Sequence, residues 1–243
     1  MKTIKNLLVA GLGAIGGAYA MKFYEKEAFQ LRVLAGGQRK TRYQQDGFII
    51  NGQRIDFNYA DPESANPAPA DLILVAVKDY GLDEAISQMA PFVGQNTILL
   101  SLMNGITSEE RLAKAFGWDH VLYGLCMGID GFRDGNVIKY HQYGIVSFGK
   151  ADNTVHTPEV KRVADAFEKA GIDYRIPENM LYELWYKFMV NVGINQASAI
   201  IKSGFGAFQQ IPEAHALMRS AMMELIQISQ KNGINLTEKD MDR

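Results

Sequence analysis

Cysteine is almost absent from this sequence, with Cys126 the single one among 243 residues. A lone cysteine excludes an intramolecular disulfide framework, which agrees with a reducing compartment. Neither sign of charge is in excess either, because 25 Lys and Arg residues oppose 27 Asp and Glu residues for a formal net charge of −2. This balance gives no electrostatic footprint for nucleic acid or an anionic membrane. We therefore expect a small-molecule partner, and we predict no metal site.

Long apolar runs are also missing. The N-terminal run in MKTIKNLLVAGLGAIGG is interrupted by glycines too early to span a bilayer, and it lacks the apolar core and cleavage site of a secretory signal. No later apolar stretch reaches spanning length without a charge. We therefore expect a soluble, cytoplasmic protein.

Up to about residue 176, short β-rich apolar runs alternate with helical patterns, which is typical of a mostly parallel sheet flanked by helices. The expected strands are Leu7 to Ala10, Leu31 to Leu34, Leu72 to Val77, Thr97 to Leu102 and Val121 to Met127, and helical patterns occur at 14–25, 81–90, 108–116 and 158–170. Asn51-Gly52 between two alternating runs predicts a hairpin. The segment NVIKYHQYGIVSFG (136–149) predicts a second β-ribbon that bends near Gly144.

After Pro177 the pattern becomes helical, with two long helices expected at 179–203 and 213–232. We therefore predict an α/β domain over residues 1–177 and a helical domain over residues 178–243. The second domain is small for an independent core, so we expect it to need the first domain, another copy of the chain or further chain for its stability.

A glycine-rich motif follows the first expected strand and opens the first expected helix. Its residues are Gly11, Leu12, Gly13, Ala14, Ile15 and Gly16. In such a G-x-G-x-x-G turn the glycines permit a tight turn, a close approach of the backbone to a pyrophosphate and tight helix packing, while the helix N-terminus supplies N–H groups to the phosphates. The alternative is an ordinary glycine-rich turn, but the position between strand and helix favours dinucleotide binding.

The type of nicotinamide cofactor is read after the second strand, where an acidic residue would bind the ribose of NAD. The run VLAGGQRKTR (33–42) contains no acid, and Arg39, Lys40 and Arg42 suit the 2′-phosphate of NADP. These cations would otherwise be solvated loop charges. We predict NADPH, with Arg39 as a cofactor-binding residue.

Two polar residues follow later strands and are expected at the edge where such sheets bind ligands. Lys78 ends the run DLILVAVK, and Asn104 lies in LLSLMNGI. Either could contact cofactor or substrate, although an asparagine beside a glycine can also serve the turn alone.

A polar stripe lies in LWYKFMVNVGINQASAI (184–200). Lys187, Asn191 and Asn195 are spaced i, i+4 and i+8, so a helix would place them on one face amid apolar neighbours. Glu183 stands four residues before Lys187, which also fits an exposed ion pair. Because aromatic residues flank the lysine, the spacing favours a stripe that faces a ligand.

These segments together resemble the ketopantoate reductase (2-dehydropantoate 2-reductase) family. The resemblance rests on GLGAIGG, VKDY, MNGI, FRDGNVI (132–138) and ELWYKFMVNVGINQASAI, which looks like the family's W-x-K-x-x-x-N-x-x-x-N helix. It implies a Rossmann-type dinucleotide-binding domain followed by an all-α domain of the 6-phosphogluconate dehydrogenase C-terminal type. The implied activity is the NADPH-dependent reduction of ketopantoate to pantoate, on the route to pantothenate and coenzyme A.

The resemblance also implies residue roles. Lys187 would be the general acid, Asn191 and Asn195 would hold the substrate, Asn104 would contact both cofactor and substrate, and Lys78 would contact the cofactor on its nicotinamide side. The alternatives are a related 2-keto acid reductase, a β-hydroxyacid dehydrogenase, or an NADP-binding protein without catalysis.

The sequence departs from the family pattern in three places. Gly36 stands where the family usually has an arginine. A further substrate-binding asparagine of the family would fall near the position of Phe205 in this sequence. The family continues through further helices beyond the position of Arg243, including a serine and an acidic residue of the site, so we expect the helical domain to be incomplete here. Apolar helices without their cover suggest a homodimer.

Overall fold

The structure, a computed structural model, describes residues 3–243. The chain folds into two compact units. The first runs up to Met103 and includes Thr107–Glu178, and the second comprises Asn104–Ile106 and Asn179–Arg243. In the part of the chain that is described, no helix is long and apolar enough to cross a membrane.

The first unit is an α/β fold. Its strands are β1 (Asn6–Ala10), β2 (Gln30–Leu34), β3 (Phe48–Ile50), β4 (Gln53–Ile55), β5 (Tyr59–Ala60), β6 (Ala70–Val75), β7 (Val93–Ser101), β8 (Val121–Ile129), β9 (Phe132–Asp134), β10 (Val137–Lys139), β11 (Tyr143–Gly149) and β12 (Tyr174–Arg175). Its helices are α1 (Ala14–Tyr24), α2 (Gly37–Asp46), α3 (Leu82–Met89), α4 (Ser108–Phe116) and α5 (Pro158–Ala170).

Eight strands form the main sheet in the order β12-β11-β8-β7-β6-β1-β2-β5. Strand β1 pairs in parallel with both β2 and β6, so the chain crosses from one side of β1 to the other. Such a switch point is where open α/β sheets bind ligands, outside the carboxyl ends of the strands. The expected α/β architecture with parallel central strands is thus confirmed.

The core explains why the central strands are apolar on both faces. Leu7 and Val9 of β1 pack in a cluster with Phe23 of α1 and Phe167 of α5. Leu8, from the opposite face of the same strand, packs in a second cluster that includes α3 and α4. Strands covered on both faces read as continuous hydrophobic runs, which is the pattern that identified them in the sequence.

A four-stranded sheet in the order β4-β3-β10-β9 stands apart from the main sheet. The hairpin predicted at Asn51-Gly52 joins β3 and β4, and both residues have positive φ, 47° and 85°. The prediction of a second β-ribbon over residues 136–149 is wrong, because β10 and β11 do not pair with each other. Strand β10 pairs with β3 and β9, whereas β11 pairs with β8, because the hairpin binds the segment before Gly144 through hydrogen bonds between the Asn51 amide and the Tyr140 backbone, both 3.0 Å long.

The second unit is helical. It contains α6 (Met180–Val190), a π-helical segment (Asn191–Gln196), α7 (Ala197–Ile201), α8 (Ala207–Gln210), α9 (Pro212–Lys231) and a 3-10 helix (Glu238–Asp242). Its buried cluster joins Met189 of α6 to Met222, Leu225 and Ile226 of α9 and to Leu236. The single α-helix predicted over 179–203 is therefore interrupted by a π-helical turn.

Polar contacts of Asp240 fix the 3-10 helix to α6. The Asp240 carboxylate forms a capping box with Thr237 and accepts a hydrogen bond from the Tyr182 hydroxyl. That bond is the main reason why the pKa of Tyr182 is raised to about 12. Burial by itself raises the pKa of Asp240, but the hydrogen bonds from Tyr182 and Thr237 outweigh it and leave the pKa below its usual value.

We predict that Tyr182→Phe lowers the free energy of unfolding by about 1 kcal/mol at pH 7, since a hydrogen bond to a carboxylate is lost. The raised tyrosine pKa stabilises the fold below about pH 10 and the lowered aspartate pKa above about pH 4, so the difference should shrink outside this window. Urea unfolding across pH measures it.

The double variant Tyr182→Phe/Asp240→Asn provides the control. If the two side chains act through one contact, the double variant loses much less than the sum of the two single losses. Additive losses would contradict this account.

Candidate active site

The turn after β1 is built from glycines with different functions. Gly11 has a φ of 102°, and a Cβ at Gly16 would lie 1.8 Å from the Gly11 carbonyl oxygen, so α1 packs directly on the turn. Gly13 differs, since its φ of −72° and ψ of −172° are extended and an added Cβ would meet only the Ala76 carbonyl oxygen, at 3.8 Å. Space is therefore open beside Gly13, where backbone can approach a ligand.

The N-terminus of α1 is suited to an anion. Its N-cap, Gly13, provides no side-chain cap, and the first turn contains no acidic residue. The N–H groups of a first helical turn have no partner within the helix and carry partial positive charge. This end of α1 therefore fits a phosphate or pyrophosphate group.

A pocket of about 770 Å³ opens at this turn. Its walls come from the turn itself, the ends of β2 and β6, the start of α3 and the segment around β9; they include Gly11, Leu12, Gly13, Ala14, Leu34, Arg39, Tyr43, Ala76, Val77, Lys78, Tyr80, Glu84, Gln88, Gly131, Phe132 and Arg133. The volume lies within the range of ligand pockets, roughly 300–1,000 Å³. The structure thus brings the predicted cofactor residues of the glycine turn together with Arg39 and Lys78, whereas Ile15 and Gly16 lie in α1 behind the turn.

The basic run after β2 lies in the first half of α2, where the sequence predicts no helix. No residue of α2 is buried, so this helix lacks the apolar periodicity by which helices are recognised. Arg39 lines the pocket, and its guanidinium lies 2.9 Å from the Glu84 carboxylate. The Lys40 amine instead lies 3.1 Å from Asp61.

Asp61 and Glu84 are two carboxylates that the sequence reading of this edge missed. Asp61 follows β5, which pairs with β2, and hydrogen bonds from the backbone N–H of Glu63 and then from Lys40 hold the pKa of its carboxyl below the usual value. Glu84 lies in α3, which follows β6 in the chain. Neither acid directly follows the second strand, so only the strand pairing and the path of α3 could have revealed them.

Arg133 is a further residue of the site that the sequence analysis did not single out. Its guanidinium donates a hydrogen bond to the Leu12 carbonyl of the glycine turn and lies 5.4 Å from the centre of the Phe48 ring. A Cβ added at Gly131 would lie 2.9 Å from the Ala14 side chain. The segment around β9 therefore packs against the glycine turn and supports its shape.

The polar stripe lies in the second unit, at the junction of α6 and the π-helical segment. Lys187 is buried, with 8% of its surface exposed, which excludes the fully solvated ion pair. The Asn195 amide donates to the Asn191 side-chain oxygen at 3.0 Å, and the Asn191 amide approaches the Asn104 side-chain oxygen at 3.5 Å. Glu183 receives hydrogen bonds of 3.0 Å from Arg243.

The asparagines therefore form a chain of amides within this unit, with Asn104 at one end. π-Helical turns occur frequently at functional sites, where the extra residue redirects side chains. In the described part of the chain, no group of three or more His, Cys, Asp or Glu residues could hold a metal ion.

Comparison with known proteins assigns both regions to one family. The family model described as "Ketopantoate reductase PanE/ApbA" matches residues 7–153, and that described as "Ketopantoate reductase PanE/ApbA C terminal" matches residues 179–243. The region that we expected to be incomplete is thus matched by the C-terminal model.

Several relatives and solved structures are similar over most of their lengths. The 2-dehydropantoate 2-reductase of Aquifex aeolicus is 24% identical, over 94% of this chain and 73% of the relative. A D-mandelate dehydrogenase solved with NADH and anilino(oxo)acetate superposes with a TM-score of 0.86 at 18% identity, over 97% of this chain and 77% of that chain. The dimeric ketopantoate reductase of Staphylococcus aureus superposes with a TM-score of 0.76 at 19% identity, over 98% of this chain and 84% of that chain.

The geometry of the glycine turn predicts losses of stability of different size for two similar substitutions. Gly16→Ala should destabilise the protein by about 3 kcal/mol, because the new methyl group overlaps the Gly11 carbonyl. Gly13→Ala should cost less than about 1 kcal/mol, because its methyl group enters open space. Urea unfolding of both variants measures the difference, and similar losses would contradict the assigned roles.

Proposed function

Because the chain belongs to the ketopantoate reductase family, we propose that it reduces ketopantoate to pantoate with a nicotinamide dinucleotide as the hydride donor. The observation that carries the proposal is that the buried Lys187 lies one helical turn before Asn191. The side-chain amide of Asn191 is in turn linked to those of Asn195 and Asn104. Relatives named 2-dehydropantoate 2-reductase, such as that of Aquifex aeolicus, support the choice of substrate.

The first unit fits the cofactor. The uncapped N-terminus of α1 and the open space beside Gly13 suit a pyrophosphate, and the pocket is large enough for a nucleotide. We assign Arg39 to the 2′-phosphate, which makes NADPH the preferred form, and Lys78 to the nicotinamide side. When bound, the reduced nicotinamide supplies a hydride to the C2 carbonyl of the substrate.

The second unit supplies the residues for the substrate. Lys187 acts as the general acid, because an ammonium group can polarise the C2 carbonyl and then give its proton to the oxygen as negative charge develops there. Burial strengthens this interaction, since water screens it less. Asn191 and Asn195 donate amide hydrogens to substrate oxygens, and Asn104 presents its amide to both substrate and cofactor.

The same residues would serve a related 2-keto acid, so the substrate is decided by comparing kcat/KM for ketopantoate with kcat/KM for other branched and aromatic 2-keto acids. The proposal requires ketopantoate to be the better substrate. If NADPH binds and no 2-keto acid is reduced, the chain is instead a nucleotide-binding protein without this catalysis.

We also propose that the chain forms a homodimer. The ketopantoate reductase of Staphylococcus aureus is dimeric, and the second unit exposes large apolar side chains, among them Ile200, Phe205 and Ile228. Such a surface is more typical of an interface than of a monomer. Light scattering on a size-exclusion column should give twice the mass of one chain, and the mass of a single chain across micromolar concentrations would contradict the proposal.

For catalysis, we predict that Lys187→Ala lowers kcat for NADPH-dependent ketopantoate reduction by about 10²–10⁴-fold, the range for loss of a positioned general acid. The dissociation constant of NADPH should change little, because Lys187 is assigned to the substrate. A spectrophotometric assay of nicotinamide absorbance measures turnover.

Lys239→Ala is the matched control, since Lys239 is an exposed lysine of the same unit and should leave kcat unchanged. Urea unfolding of the Lys187 variant checks that the fold is retained. A near-normal kcat in a folded Lys187→Ala protein would refute the assigned role.

A further inference from the structure

We propose that Glu84 determines the preference between NADPH and NADH, because its carboxylate competes with the 2′-phosphate for the guanidinium of Arg39. This inference rests on the proposed nicotinamide-dependent function. It assigns a specificity-determining role to a residue of α3, away from the segment after the second strand where the distinction is usually read.

Arg39 is the cation of the basic run that lines the pocket with the glycine turn. Lys40 is directed to Asp61, at 3.1 Å. Arg42 lies beside a neighbouring pocket, with its guanidinium 5.5 Å from the centre of the Tyr43 ring. Among the three cations of the basic run, Arg39 is therefore the one whose charge balance affects how strongly this pocket attracts a 2′-phosphate.

Glu84 balances that charge within the same pocket. Its Oε1 atom lies 2.9 Å from Arg39 Nη2 and also accepts a hydrogen bond of 2.9 Å from the Gln88 amide. The side chains of Arg39 and Glu84 are 44% and 55% exposed. A pair this exposed is held weakly and can exchange partners with an incoming ligand.

NADPH and NADH differ in the group at the ribose 2′ position, and the two groups interact differently with Arg39 and Glu84. A 2′-phosphate carries roughly −1.5 to −2 charges near neutral pH, so it gains from Arg39 and is repelled by Glu84. The 2′-hydroxyl of NADH can instead donate a hydrogen bond to a carboxylate. Glu84 therefore weakens NADPH binding, supports NADH binding, and brings the two affinities closer together.

Asp83 provides a matched control for this charge. It precedes Glu84 in the first turn of α3, so both acids lie at the same helix terminus. Asp83 is 84% exposed, lies 2.7 Å from Arg111 and does not line the pocket. Asp83→Asn and Glu84→Gln each remove one negative charge, but only the second removes it from beside Arg39.

The test is direct binding of NADPH and NADH to the full chain, measured by calorimetry without substrate. Glu84→Gln should increase the ratio of Kd for NADH to Kd for NADPH by about tenfold, the effect of one charge at hydrogen-bond distance in a half-exposed site. Asp83→Asn should change the ratio less than about twofold, since its charge lies outside the pocket. Arg39→Met should lower the ratio below that of the unmodified protein.

Binding of adenosine 2′,5′-bisphosphate and of 5′-AMP isolates the phosphate contact from the nicotinamide. Glu84→Gln should strengthen binding of the bisphosphate and slightly weaken binding of 5′-AMP, whose 2′-hydroxyl loses a charged acceptor. An equal gain for both nucleotides would overturn the proposal, because it would show a general loss of repulsion.

The remaining outcomes separate this inference from the function on which it rests. An unchanged cofactor ratio in Glu84→Gln, or an equal shift in Asp83→Asn, overturns the role of Glu84 while the reductase function stands. If the unmodified chain binds neither NADPH nor NADH, the proposed function itself fails, and the inference fails with it.

Discussion

The close contact between α1 and the turn after β1 is the constraint on which the candidate cofactor site depends. Only a glycine at position 16 allows the helix to approach the Gly11 carbonyl so closely, and this approach directs the N-terminus of α1 toward the edge of the sheet. Because β2 and β6 both flank β1, the same edge receives Arg39 from α2 and Lys78 from the loop after β6. One local packing requirement thus assembles residues that are distant in sequence.

The second unit positions its polar residues in a different way. The amides of Asn191 and Asn195 lie in a π-helical segment that follows directly on the helix of Lys187. Asn191 is half-buried, whereas Asn195 and Asn104 are exposed, and hydrogen bonds from Asn195 to Asn191 and from Asn191 to Asn104 link the three amides. The carbonyl and carboxylate of the proposed 2-keto acid substrate would offer further acceptors to these donors.

The sequence predicted the features that arise from local pattern. The central strands were recognisable because both of their faces are buried, and the glycine turn because its residues lie between a strand and a helix. The basic helix α2 was missed because it buries no side chain, and the π-helical turn because the spacing of Lys187, Asn191 and Asn195 also fits an α-helix. Glu84 and Arg133 were missed because contacts with other elements, across 45 residues for Arg39–Glu84 and 121 for Arg133–Leu12, bring them to the site.

The assignment of both units to one reaction makes a hydride transfer from cofactor to ketopantoate the central claim. The most direct measurement is to incubate the chain with ketopantoate and with NADPH deuterated at the transferable position, and to analyse the product by mass spectrometry and NMR. The account predicts pantoate that carries deuterium at C2. Unlabelled pantoate, or no pantoate from a protein that binds NADPH, would contradict it.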